Sequence, residues 1–89
     1  MANHKSAKKR HRQSLKRRDR NRVVKSTVRT LVKRVRALAE AGELDQAQET
    51  ARLAEKKIAQ AAAHSVYHPK NASRKVERLY QAIARARTA

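Results

Sequence analysis

Apolar residues recur along three stretches of the chain, three or four positions apart. Such spacing places side chains on one face of an α-helix, and no stretch alternates as a β-strand would. In the first stretch these residues are Val24, Val28, Leu31, Val35 and Leu38. In the second they are Leu44, Ala47, Ala51, Ala54, Ile58 and Ala61, and in the third Ala72, Val76, Leu79, Ile83 and Ala86. The pattern predicts three helices.

Gly42 and Pro69, the only glycine and the only proline, separate the three stretches. Glycine adopts the left-handed conformation that ends many helices, and proline is tolerated in a first helical turn. Short connections favour antiparallel packing of neighbouring helices. We therefore predict an all-α fold, an antiparallel three-helix bundle in one domain over residues 1–89. The predicted segments are the arm at 1–22, the rest of helix one at 23–41, helix two at 43–63 and helix three at 69–87.

The predicted first helix is much longer than its apolar face. A helix from about Ser6 to Ala41 would measure about 54 Å at ~1.5 Å per residue, against about 27–30 Å for the other two. Before Val23 the chain has Leu15, Ala7 and little else that is apolar. The sequence thus predicts a long N-terminal helix whose first half, residues 1–22, projects from the bundle as a basic arm.

The apolar residues available for a core are small. Seventeen are alanine, no Phe or Trp is present, and Tyr67 and Tyr80 are the only aromatic residues. We expect a thin core of closely packed helices, with both tyrosines at its edge rather than stacked on nucleic-acid bases.

Charge is large and unevenly distributed. The chain has 24 Lys or Arg against 7 Asp or Glu, a net charge of +17. Residues 1–36 hold 15 bases and only Asp19 as an acid, whereas residues 37–55 hold five acids and one base, Arg52. Such a surplus needs a polyanionic partner, of which nucleic acid is the commonest, followed by an anionic membrane surface and an acidic protein.

Several classes of protein are disfavoured by what the sequence lacks. There is no cysteine for disulfides or thiolate chemistry, and no apolar run typical of a signal peptide or membrane span. We expect a soluble, cytoplasmic protein that is not an enzyme and uses no cofactor, because catalytic and phosphate-loop motifs are absent. His64 and His68 lack a third ligand, so no metal is expected.

Basic residues of the arm fall on every side of the predicted helix. That arrangement favours insertion among several phosphate backbones, as in folded RNA, over contact with one duplex. Like charges one turn apart, as at Arg12 and Lys16, predict that the free arm is largely disordered and becomes helical on RNA. The sequence offers no aromatic platform on which bases could stack, so we expect the protein to recognise the shape and phosphate backbone of RNA. Its affinity should therefore fall steeply as the salt concentration rises.

A second basic patch is predicted where the third helix begins, because several Lys and Arg residues lie there. A helix N-terminus itself also attracts phosphate. The alternative is a solvated face in which Pro69 and Asn71 serve only to cap the helix. The candidate RNA-binding residues are Asn3, Lys5, Ser6, Lys8, Lys9, Arg10, Arg12, Gln13, Lys16, Arg17, Arg20, Asn21, Lys25, Arg29 and Lys33 in the first helix, and His68, Lys70, Asn71, Arg74, Lys75 and Arg78 in the patch.

The opening residues 1–10, MANHKSAKKR, resemble the start of the S-twenty family of bacterial small-ribosomal-subunit proteins. The resemblance continues over essentially the whole chain, although Ser65 and Pro69 stand where members often have other residues. It implies a three-helix bundle that binds small-subunit ribosomal RNA (rRNA) directly during assembly, near the five-prime domain and the long penultimate stem. It also implies other ribosomal components as neighbours, with no small-molecule substrate and no homo-oligomer.

Two alternatives remain from the residues alone. A DNA-compacting protein is also small, basic and helical, but it would need a dimer face or a wedge residue that the sequence does not offer. A helix lying on a membrane surface would need an apolar face, which the arm lacks.

Overall fold

Three helices make up the fold, as the sequence predicted. The computed structural model describes the backbone of residues 2–88 and the side chains of residues 6–88. Helix α1 runs over Ala2–Glu40, α2 over Leu44–Ala63 and α3 over Pro69–Thr88, with no strand in the described part of the chain. Each helix packs against both of the others.

Side-chain hydrogen bonds between α2 and α3 show that these two helices run in opposite directions. Near the start of α2, the Gln48 Oε1 atom accepts a 2.7 Å hydrogen bond from Arg87 Nη2, near the end of α3. Closer to the middle of both helices, the Tyr80 hydroxyl donates a 2.7 Å bond to Glu55 Oε2. That bond, assisted by partial burial and by the carboxylate charge, raises the pKa of Tyr80.

The core is formed along the three apolar stripes that the sequence predicted, and six of its eleven buried residues are alanine. Ile58, Leu79 and Val35 are the largest fully buried side chains, and full burial of such a side chain stabilises the fold by about 2 kcal/mol. No polar or charged side chain is buried among residues 6–88. Tyr67 and Tyr80 pack at the edge of the core, as predicted. The remaining buried residues are Val28, Ala39, Ala47, Ala51, Ala54, Ala61, Ala72 and Ile83.

The arm is the part of α1 that this core does not reach. Every side chain from residue 6 to residue 20 is exposed, Val24 is half-buried, and burial begins at Val28. The molecule measures 66 × 20 × 14 Å, and its radius of gyration is 17.6 Å. A compact chain of this length would have a radius of about 12 Å. The elongated shape follows from the projecting arm.

Helices α1 and α2 each end in a hydrogen-bonded turn of the same type. After α1, the Gly42 and Glu43 amides donate to the carbonyl oxygens of Ala39 and Leu38, at 3.1 and 2.9 Å. This is a Schellman motif, and it places Gly42 at a φ of 79°, the left-handed conformation that the sequence predicted.

The turn after α2 repeats that motif without glycine. The amides of Ser65 and Val66 donate to the carbonyl oxygens of Ala62 and Ala61, at 3.1 and 2.8 Å. Ser65 has a φ of 62°, which is unfavourable for a residue with a Cβ atom. The second turn is therefore more strained than the first.

Single substitutions at Gly42 and at Ser65 should change the free energy of unfolding in opposite directions. Gly42→Ala should lower the free energy of unfolding by about 1 kcal/mol, through its φ alone, because a Cβ atom there meets nothing within 4 Å. Ser65→Gly should raise it by up to about 1 kcal/mol, reduced by the entropy that glycine loses on folding. Urea unfolding of the two variants measures both changes.

The matched control is Ser26→Gly, at an exposed position inside α1. Glycine should lower the stability there by about 0.5 kcal/mol, because the backbone is right-handed. A Ser65→Gly protein no more stable than the parent would contradict the assignment of strain to Ser65.

Candidate nucleic-acid interface

Among the described residues, nearly all side chains of the first helix that were predicted to bind RNA are at the surface. Those between Ser6 and Arg20 are exposed, as are Lys25, Arg29 and Lys33, while Asn21 is half-buried. Asn3 and Lys5 lie outside the described side chains. Because consecutive positions on a helix differ by about 100° in direction, Lys8, Lys9 and Arg10 alone point to three sides.

A continuous row of polar and basic side chains runs from the arm onto the bundle. We call it the basic stripe, and it lines a shallow concavity on one side of α1. Arg18 and Arg22, which sequence reasoning left out of the candidate set, belong to it, and their spacing relative to Lys25 and Arg29 was the available signal. The stripe consists of Ser14, Arg17, Arg18, Asn21, Arg22, Lys25 and Arg29.

The basic stripe and the start of α3 meet at Tyr67. Burial raises the pKa of Tyr67, and the positive charge of nearby Arg29 opposes that rise. The Nζ atom of Lys75 lies 5.1 Å from the centre of the Tyr67 ring, within the range of a cation–π interaction. Tyr67 thus brings a cation of α1 and a cation of α3 to the same end of the bundle.

The first turn of α3 is capped by His68. The amide of Lys70 donates a 3.2 Å hydrogen bond to His68 Nδ1, the arrangement of an N-cap side chain. The cap comes from His68 and not from Asn71, contrary to the alternative considered for the sequence. Lys70, Asn71, Arg74 and Arg78 are exposed and Lys75 is half-buried.

Most acidic side chains lie at the opposite end of the bundle. Glu40, Glu43, Asp45 and Glu49 are exposed around the turn from α1 to α2 and in the first turns of α2. For Glu43, Asp45 and Glu49 the negative charge is favourable, because these residues lie at the positive end of the α2 dipole. The end of the bundle from which the arm projects is consequently basic.

The described residues offer neither a metal site nor a membrane-spanning element. Among them, His, Cys, Asp and Glu side chains form no group of three or more that could hold a metal ion. In the same part of the chain, no helix combines the length and the apolar character needed to cross a membrane.

Comparison with known proteins identifies the family. A family model described as Ribosomal protein S20 matches residues 2–84, which include the arm, α2 and most of α3. The chain belongs to this family. The resemblance seen in the opening residues is thereby confirmed, and the family is one of structural ribosomal proteins rather than enzymes.

Relatives match over nearly the full length of the chain. The protein named Small ribosomal subunit protein bS20 from Solidesulfovibrio magneticus is 45% identical over 89 residues, which cover 100% of both chains. The protein of the same name from Magnetococcus marinus is 49% identical over 89% of this chain and 86% of its own. The one from Geotalea uraniireducens is 48% identical over 93% of this chain and 95% of its own.

The exposure of the arm leads to a prediction about its order in the free protein. Nothing in the bundle contacts residues 6–20 closely enough to bury them, and like charges repel along them. We expect less helix in the free protein at low salt than three complete helices would give, and more when rRNA is bound. Far-UV circular dichroism measures the difference. Full helicity through residue 6 in the free protein at low salt would contradict it.

The His68 cap gives a second prediction. His68→Ala should lower the free energy of unfolding by about 1 kcal/mol, because the Lys70 amide loses its acceptor. His68→Asn should keep most of the stability, since the Asn side-chain oxygen accepts the same bond. Thermal unfolding compares the two, with Asn71→Ala as a control expected to change little. No loss in His68→Ala would show that the cap contributes nothing, and equal losses in the two variants would show that the stability comes from another property of the His68 side chain.

Proposed function

We propose that this protein is a structural constituent of the small ribosomal subunit that binds folded small-subunit rRNA directly and supports assembly of the subunit. The observation that carries the proposal is the arm. Its fifteen consecutive residues 6–20 are all exposed, and the eight Lys or Arg residues among them point to every side of the helix. The names of the relatives support the same assignment. The protein would act in the cytoplasm as part of the ribosome, beside other ribosomal components.

Binding would depend on phosphate contacts made by the arm and the basic stripe. The guanidinium groups of Arg17, Arg20 and Arg29 can each hold a phosphate through two parallel hydrogen bonds. Release of counterions from the RNA then supplies much of the affinity without reading sequence. Amide and hydroxyl side chains of the stripe, such as Asn21 and Ser14, can add bonds to phosphate or to 2′-hydroxyl groups.

The start of α3 would provide a smaller second contact. The helix dipole favours an anion there, and Lys70 and Arg74 add positive charge, although the Lys70 amide itself is already bonded to His68. Tyr67 lies between the start of α3 and the basic stripe, with Lys75 of α3 over its ring and the charge of Arg29 close enough to affect its pKa. One RNA surface can therefore engage the arm, the stripe and the start of α3 together.

Duplex DNA and an anionic membrane are the competing partners, and the distribution of charge disfavours both. A single duplex or a flat membrane would contact one side of the arm and leave the other cations unpaired. Between residues 6 and 20, Leu15 is the only large apolar side chain, and the arm therefore lacks the apolar face of a membrane-surface helix.

Removing two cations from the arm should weaken rRNA binding and reduce its dependence on salt. For the double variant Lys16→Ala with Arg17→Ala, we expect the slope of log affinity against log salt to fall in magnitude by about 2, near 0.9 for each phosphate that is no longer neutralised. The control is Arg52→Ala with Lys56→Ala, which removes the same charge from an exposed face of α2. Filter binding to a small-subunit rRNA transcript at several salt concentrations measures the slopes.

Two outcomes would count against the proposal. Equal slopes for the arm variant and the α2 control would mean that only net charge matters. Equal affinity of the full-length protein for duplex DNA and for the rRNA transcript at physiological salt would favour the DNA-compacting alternative.

A further inference from the structure

A groove lies where the arm leaves the bundle, between α1 and the end of α2. We call it the root groove, and its volume is about 430 Å³, within the ~300–1,000 Å³ typical of small-molecule sites. Its floor is apolar and is formed by Val23, Val24, Ala61 and Val66. Ala61 is buried, Val24 and Val66 are half-buried, and Val23 is exposed.

Val23 is unusual among the large apolar side chains. It is 65% exposed, compared with 45% for Leu15 and 47% for Leu53. An exposed valine by itself needs no explanation. Val23, however, continues an apolar floor and lies in the first turn beyond the arm, where the bundle begins to support α1. The groove is therefore an apolar surface left uncovered at a junction.

The rim of the root groove is cationic. Arg20 and Lys57 lie on opposite helices, His64 closes the end of α2, and no acidic side chain lines the groove. An apolar floor with a cationic rim is complementary to a nucleotide, which combines a flat base with an anionic phosphate. The Gln60 side chain, also in the lining, offers a donor and an acceptor to the edge of a base.

The root groove opens beside the arm, on a side of α1 different from that of the basic stripe, and the two surfaces share no residue. Arg20 belongs to both the arm and the groove, and the cations of the arm point to every side, so folded RNA that surrounds the arm also reaches the groove. RNA-binding proteins commonly take up unpaired bases that are turned out of the stack, and an arginine side chain can stack on such a base. The place of Arg20 in the arm therefore favours RNA over an acidic peptide as the occupant.

We propose that the root groove binds one unpaired nucleotide of the small-subunit rRNA. The base lies on the floor formed by Val23 and its apolar neighbours, and the phosphate contacts Arg20 and Lys57. The inference rests on the proposed function and adds a base-level contact to a surface otherwise limited to the backbone. A nucleotide held there would also fix the direction in which the arm leaves the bundle.

Two matched pairs of variants test the groove in the full-length protein. Val23→Asp should weaken binding to a small-subunit rRNA transcript about tenfold relative to Leu53→Asp, which makes the same charge change at an exposed site outside the groove. Lys57→Ala should weaken binding about threefold relative to Lys56→Ala, its neighbour outside the groove. Circular dichroism checks that all four variants keep their helices.

Base-specific chemical probing of the RNA supplies the second readout. With the parent protein, one unpaired base should be protected, and it should become reactive again with Val23→Asp but not with Leu53→Asp. Equal affinities within each pair, with no base protected, would overturn the inference. Normal RNA binding by Val23→Asp together with its loss from assembled subunits would also overturn it, by showing that a protein fills the groove.

These results separate the inference from the proposed function. If the parent protein binds the transcript with a steep salt dependence but the groove variants behave as their controls, only the inference fails. If the parent protein does not bind the transcript, the proposed function fails first.

Discussion

The bundle has enough apolar surface to hold only the second half of its longest helix, and the other features of the molecule follow from that limit. Helix α1 has 39 residues and its two partners have 20 each, yet burial along α1 begins only at Val28. The first half gains nothing from packing, and its like charges oppose compaction. Such a helix is stabilised by what it binds. The division between a packed half and an unsupported half thus determines where the protein meets its partner.

Two short turns determine which surfaces accompany the arm. Because α2 returns along α1 and α3 returns along α2, the start of α3 lies near the base of the arm and the acidic turn lies at the far end. The Schellman motifs at Gly42 and Ser65 set these reversals. They also leave Val66 at the edge of the bundle, beside Val23. The backbone geometry of two turns therefore assembles the basic patch and the root groove from segments that are distant in sequence.

Much of this arrangement could be predicted from the sequence, and the exceptions have physical reasons. Helical periodicity identified core positions such as Val35, Ile58 and Leu79, and the single glycine marked the end of α1. Ser65 could not be recognised, because the sequence shows no glycine where that helix stops. The His68 cap was missed because histidine is not a usual N-cap residue. That Arg29 of α1 and Lys75 of α3 both lie near Tyr67 depends on packing between helices, and periodicity within one helix carries no information about it.

The separation of charge along the molecule also affects how it approaches a partner. Exposed acids cluster at one end of the bundle, while the arm, residues 1–22, holds 10 of the 24 basic residues and extends from the other. In the field of a polyanion, such a distribution experiences a torque as well as an attraction. The molecule is turned arm-first before any contact forms, so a larger share of encounters begins in a productive orientation. The acidic turn is remote from the proposed RNA surface, yet it thereby helps to orient the arm toward the polyanion.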